Sequence, residues 1–333
     1  MNTLLICPKF FGYEKDIYGA LISQNHNVTY IDEKPYNNNF FKVLVRLFGK
    51  SKFVKWLIKR HIATSLKKMP KEIDCIIVVK GESLSLENVK FLKTVFPKAR
   101  LIFYAWDSIN NYPHVIDYLP LFDDCFTFDD RDIIQYPFFT HLPLFYSKDF
   151  ENKTAITELA DKPKVVFAGT VHSDRYKLLG EIYKNYKHAF DFDFFLYFPS
   201  RLLLFKFIKD NFWEIIKYRV FGFSLRSKEK KEIAEFFLNS TAILDIQHPK
   251  QHGLTMRTIE ILPLQRKIIT TNPEIQRYDF FLPENIMVID RLRPVLTEEF
   301  LMTPYQAINP DVLHQYSVEG WVKKLLANKQ STH

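Results

Sequence analysis

Residues 245–262, DIQHPKQHGLTMRTIEIL, hold the densest set of groups able to do chemistry. An apolar strand gives way to a loop with Pro249, His248, His252 and Gly253, and a helix pattern then opens at Thr255. Thr255 is a natural helix cap, and the unpaired N–H groups of a first helical turn, with its dipole, favour an anion. Arg257 in that turn opposes the dipole, but its forked donors match a diphosphate. Thr258 adds a second small hydroxyl. Glu260, three residues beyond Arg257, shares its face one turn deeper and could accept hydrogen bonds from the two hydroxyls of a ribose. The plainer alternative is a surface ion pair between Arg257 and Glu260, worth only about 0.3 kcal/mol. A second cluster is FAGTVHSDR, where Gly169 permits close approach and Thr170, Ser173 and Arg175 could donate to phosphate oxygens near a helix start. It also reads as a plain turn, and the chain has neither a GxGxxG nor a Walker loop.

The elements that must carry these groups come from apolar runs alternating with helical patterns. TLLICP, NVTYID, DCIIVVKGE, RLIFYAWDS and DCFTFDD lack polar alternation, as strands of a parallel sheet covered on both faces do. The polar stretch 147–163 leads out of this doubly wound region, and the pattern restarts with KVVFAGT, a helix over about 173–187, DFDFFLYF, AILDIQ, KIITTN and NIMVID. The expectation is α/β: two Rossmann-like domains over 1–150 and 163–315, facing a cleft with ligands at the carboxyl ends of the strands. A terminal amphipathic helix, 316–333, would pack back across the junction.

Composition narrows the function classes. The chain has 333 residues, 47% apolar and 25% charged, which excludes general disorder and suits two cores. Cys7, Cys75 and Cys125 show no zinc or disulfide spacing. No leader and no long uncharged apolar run is evident, so a cytoplasmic protein is expected. The formal charge of +8 suits an anionic partner. Between Lys34 and Lys71 there is no acidic residue, and 39–68 interleaves Lys and Arg with apolar side chains, as in a helix lying on an anionic membrane or one packed on its own domain with a solvated basic face. The similar stretch 201–223 reads as a core-packed helix. Nucleic acid is not expected, because the aromatic residues fall in buried-strand patterns rather than on a basic platform. Asp191 and Asp193 mimic a metal-binding DxD but lie within an aromatic strand, and the proline and glycine around His248 and His252 argue against a shared metal; no metal is expected.

KGESLSLENVKFLKTVFPKARLIFYAWDSINNYP, VVFAGTVHSDRYKLL and LDIQHPKQHGLTMRTIEIL…KIITTN together resemble the bacterial capsule and lipopolysaccharide glycosyltransferases of the CgeB-type, GT-B-fold group, from about Asp74 to Arg291. The resemblance implies two Rossmann lobes, a nucleoside-diphosphate sugar donor held mainly by the second, and transfer to a lipid-linked or growing glycan without a cofactor, peripherally on the inner face of the cytoplasmic membrane. It implies that Arg257 meets the diphosphate and Glu260 the ribose; from the residues themselves, Gly169, Thr170, Ser173, Arg175, His248, His252, Gly253, Thr255 and Thr258 are the further donor-binding candidates. The chain departs from the pattern at ILPLQRK, where Pro263 should end the helix early. Gly253 stands seven residues before Glu260, where many retaining enzymes carry a second glutamate. Transfer needs a base for the acceptor hydroxyl. Asp107 in YAWDS is the first candidate, although it could instead cap the following turn, and Glu82 in VKGES is the second. A sugar-nucleotide epimerase and a non-catalytic protein binding glycan or anionic lipid remain as alternatives.

Overall fold

The computed structural model describes residues 1–35, 51–67, 72–151, 162–249 and 252–327. The chain divides into two compact units, Met1–Leu144 with Ser317–His333, and Phe145–Tyr316. Residues 152–161 of the polar stretch lie outside the described residues.

The first unit runs β1 (Asn2–Ile6), α1 (Tyr13–Ser23), β2 (Asn27–Ile31), α2 (Lys52–Leu66), β3 (Cys75–Val79), α3 (Leu86–Val95), β4 (Arg100–Ala105), β5 (Asp124–Thr127), α4 (Asp130–Gln135) and β6 (Phe139–His141). The described strands form one parallel sheet in the order β2-β1-β3-β4-β5-β6. β3 is buried at every position, which is why Cys-Ile-Ile-Val-Val shows no polar alternation. The order reverses between β1 and β3, so the loops after these strands flank the unit's switch point.

α2 shows what part of the basic segment does. Ser51 caps it by accepting from the Val54 N–H, and Val54, Ile58, Ile62 and Leu66, four apart, pack into the core of this unit. Phe53 and Trp56 stay exposed, with Arg60 over the Trp56 ring at 5.3 Å. Residues 39–50 and 68, the rest of the segment read as a membrane contact, lie outside the described residues.

The second unit runs β7 (Lys164–Thr170), α5 (Arg175–Tyr186), β8 (Asp191–Tyr197), α6 (Arg201–Asp210), α7 (Phe212–Tyr218), β9 (Phe223–Ser224), α8 (Lys230–Leu238), β10 (Ala242–Asp245), α9 (Met256–Ile261), β11 (Lys267–Thr270), β12 (Ile286–Val288), α10 (Glu298–Met302) and α11 (Pro310–Gln315). Its parallel sheet has the order β12-β11-β10-β7-β8-β9, so the switch point lies between β7 and β10. The chain then returns to the first unit as α12 (Val318–Leu326).

Of two expectations, one is met and one changes: Asp191 and Asp193 do lie within an aromatic strand. The DFD aspartates stand at the start of β8, opposite the carboxyl ends, where Asp191 pairs with Lys162 at 2.6 Å and Asp193 with Lys164 at 3.3 Å. The stretch 201–223 is not one core-packed helix: it breaks at Asn211 into α6 and α7, and α6 buries no residue fully. One face of the pair reaches the core, through Leu204, Phe207, Ile215 and Tyr218.

Candidate functional site

At the switch point of the second unit, the end of β7 is tied to the segment after β10 by one side chain. Arg175 opens α5 and donates from Nη1 to the Thr170 carbonyl at 2.6 Å and from Nη2 to the Ile246 carbonyl, while its guanidinium lies over the Phe167 ring at 5.3 Å. Gly169 makes room for it, since a Cβ there would stand 3.0 Å from the Phe167 ring and 3.4 Å from Arg175 Nη1. The Nε of Arg175 is buried with no partner among the described residues. Burial brings this guanidinium down to about 10; Arg257 and Arg291 push the same way, against Asp245 and Asp174.

Asp245, the last residue of β10, is the buried counter-charge. Thr258 donates its hydroxyl to Oδ2 at 2.6 Å, Thr270 does so at 3.4 Å, and Thr255 reaches Oδ1 at 3.5 Å. Desolvation raises its carboxyl, opposed by the Thr258 hydrogen bond and by Arg175 and Arg257. Thr255 caps α9 as expected, its Oγ1 accepting from the Thr258 N–H at 3.3 Å. α9 stops at Ile261 and tightens into a 3-10 turn over Leu262–Leu264, where Pro263 supplies no N–H.

α9 therefore holds only six residues, and guanidinium charge rather than a long helix dipole dominates the site. Arg257 lies over the Phe237 ring at 5.0 Å, with a buried Nη1 that has no partner among the described residues. Glu260, one turn on, is 3% exposed. Thr258 is fully buried, so its hydroxyl serves Asp245 and faces inward, unlike the lining role expected for it.

The histidines pair differently from the sequence spacing. His248 lies beside His172, ring centroids 5.3 Å apart, whereas His252 accepts at its carbonyl from Asn272 Nδ2 at 3.0 Å and Gly253 is buried in the same loop. Burial, with Arg175, His248 and Arg291 nearby, lowers His172 to about 4, so it is neutral near pH 7. Ser173 takes a left-handed φ of 52° and donates its hydroxyl to the His172 carbonyl at 2.7 Å.

Sequence reasoning missed Arg291. From the loop after β12 it grips Asp174 through two bonds of 2.8 Å and donates to the Gln247 carbonyl at 3.0 Å and to Thr271 Oγ1 at 3.3 Å. Its hydrogen bonds, ahead of an opposing burial cost, pull Asp174 to about 2. Gln247 and Thr271 bond to each other side chain to side chain, and Gln247 Nε2 also meets the Thr271 carbonyl at 3.2 Å. A lone arginine after a short strand carries no local signal.

The catalytic candidates of the first unit also gather at its switch point. Lys80 and Gly81 follow β3 with φ of 73° and 67°. A Cβ on Gly81 would collide with Tyr118 Oη at 2.6 Å. Lys80 Nζ bridges Asp107 at 3.0 Å and Glu82 at 3.5 Å, and Lys34 joins Glu82 at 3.2 Å. Burial pushes Glu82 up, but Lys80 and Lys34 outweigh it and hold the carboxyl below its usual range. Asp107 does not cap the following turn; its backbone N–H and carbonyl both bond the Tyr112 hydroxyl, at 2.8 and 2.6 Å, leaving the carboxylate to Lys80. Glu33 was also missed: it is fully buried, accepts from the Ser83 hydroxyl at 3.3 Å, and is driven up to about 7, by burial first. Among the described residues no three His, Cys, Asp or Glu side chains gather as a metal site.

No family model and no curated protein matches this chain. Solved structures do. A glycosyltransferase from Rickettsia africae ESF-5 superposes with a TM-score of 0.63 at 13% identity, covering 98% of this chain and 96% of that one. Anabaena Alr3699/HepE in complex with UDP and glucose gives 0.62 at 8% identity, with 98% of each chain covered. A sucrose-phosphate synthase from Thermosynechococcus elongatus gives 0.59 at 11%, covering 98% and 94%. The likeness establishes the fold: two Rossmann-like units of parallel sheet with helices, the GT-B arrangement.

Proposed function

We propose that this chain is a GT-B glycosyltransferase that moves a sugar from a nucleoside-diphosphate donor to a lipid-linked or growing cell-surface glycan. One observation carries the reading: Arg175, Arg257 and Arg291 converge on the switch point of the second unit beside a neutral His172, around the buried carboxylate of Asp245. Two of their donors, Arg175 Nε and Arg257 Nη1, have no partner among the described residues, and such fixed donors suit a diphosphate. In this reading Arg257 and His248 face the diphosphate, Arg175 and Arg291 set the loops around it, and Glu260 holds the ribose. The motif likeness to the capsule and lipopolysaccharide enzymes supports the acceptor class, and the HepE complex with UDP and glucose supports the donor class.

Preorganised guanidinium groups stabilise the departing diphosphate where its charge develops, so the proposed reaction is metal-independent. In the first unit, Asp107 takes the proton of the acceptor hydroxyl, with Lys80 fixing its position; Glu82 is the weaker base because two lysines hold it ionised. The protein would act in the cytoplasm, at the inner face of the membrane.

The test is a melting screen against UDP, GDP, CDP and CMP, since a ligand that binds only the folded state raises the midpoint. One nucleotide should stabilise the protein, and Glu260→Ala should lose most of that shift while keeping the ligand-free midpoint within a few degrees. No response to any of them, or an undiminished response in the variant, removes the assignment.

A further inference from the structure

We infer that the α6–α7 pair of the second unit docks the protein on an anionic lipid bilayer. Leu202 is 78% exposed, Phe205 69%, Trp213 76% and Phe221 63%, and Leu203, Phe212 and Ile216 are each about half exposed. Exposed apolar residues elsewhere among the described residues occur singly, as Phe11 does, or in pairs, as Phe53 with Trp56 and Ile134 with Phe138. Here they share one 20-residue segment whose opposite face is anchored. Leu204, Phe207 and Ile215 pack on the core, and Tyr218 is buried against Gly180 of α5 with its hydroxyl donating to Glu181. The outward face is therefore held out by packing.

Charge selects the occupant. Between Arg201 and Arg226 there are six basic residues and two acidic ones, Asp210 and Glu214. Lys206 and Lys209 fall on the same outward face of α6 as Leu202 and Phe205, and Lys217 flanks Phe212, Trp213 and Ile216 on α7. Lysine is depleted at the centres of protein–protein interfaces. At a bilayer, by contrast, its stem lies along the apolar layer while the ammonium reaches the phosphates, and Trp favours the same depth. α6 rises only about 15 Å, and among the described residues no helix is long and apolar enough to cross a membrane, so the pair lies on the surface. This inference rests on the second unit alone and needs no assumption about the sugar donor.

The experiment floats the full chain with vesicles of phosphatidylcholine alone and of phosphatidylcholine with phosphatidylglycerol, at low and high salt. The wild type should float with the anionic vesicles at low salt and leave them at high salt. Phe212→Ser, Trp213→Ser and Ile216→Ser together should cut partitioning by more than about tenfold. Each of Lys206→Gln and Lys209→Gln should weaken it roughly fivefold. These side chains are exposed, so circular dichroism melting of the variants should match the wild type and separate lost docking from lost folding. Three results would overturn the inference: a wild type that does not float, a triple variant that floats equally well, or vesicle-free dimerisation that the triple variant abolishes, which would assign the face to a second copy. The UDP melting shift, read on the same variants, reports the nucleotide site separately.

Discussion

Arg257 and Thr258 are adjacent in sequence and opposite in role, and substitution should separate them. Arg257 leaves a buried Nη1 with no partner among the described residues, whereas Thr258 spends its hydroxyl on Asp245. Arg257→Ala should weaken binding of the stabilising nucleotide about 10- to 100-fold by calorimetry, the loss of one or two charge-assisted hydrogen bonds. Thr258→Val should instead destabilise the fold by about 1–3 kcal/mol in urea unfolding, because it strips a buried acceptor of its best donor. A second residue-scale expectation concerns pH. His172 is lowered from 6.5 to about 4 in the folded state, so between those values the unfolded chain binds more protons. Stability from this group is complete above about pH 6.5 and is lost as pH falls through 4; Asp174, pulled to about 2, adds its loss only below 3.8. His172→Asn should flatten the acid limb of the stability profile between pH 6.5 and 4, measured by urea midpoints.

Glycine placement governs how the elements meet. Gly180 sits inside α5, where alanine would be the better helix former by about 1 kcal/mol. A Cβ there would nevertheless stand 2.3 Å from the ring of Tyr218, the α7 residue that packs on α5. Gly180→Ala should therefore lower the melting point, overpacking costing about 1–3 kcal/mol and outweighing the gain in propensity. The same scale shows what the sequence could reveal. Short apolar runs without polar alternation, such as Cys75–Val79 and residues 242–244, announce strands covered on both faces, because they are too short for a buried helix. The cap at Thr255 and the early stop at Pro263 were legible for equally local reasons. Stretch 201–223 was not: a basic and apolar pattern reads as a helix packed on its own domain, whereas the chain breaks at Asn211 and leaves one face outside. Arg291 and Glu33 escaped because each reaches its cluster through the sheet order, from a segment without a motif.

At the scale of the molecule, the two units differ in continuity. The second is one unbroken stretch, Phe145–Tyr316, while the first is completed by α12. Ser317 caps that helix, and Val318, Trp321, Val322 and Leu325 are its buried face. Trp321 meets the Tyr104 ring edge-on at 4.8 Å, and Arg100 closes the far end by donating to the Leu326 and Ala327 carbonyls at 2.7 and 3.0 Å. Trp321→Ala should cost about 3–5 kcal/mol in denaturant unfolding.

The position of α12 also bears on synthesis. A ribosome delivers β1 to β6 first, yet α12, whose Trp321 packs on Tyr104 of β4, emerges only after Tyr316. The first unit is therefore completed only after the whole of the second, Phe145–Tyr316, has been made, and until then the surface that Val318, Trp321, Val322 and Leu325 cover lacks its helix.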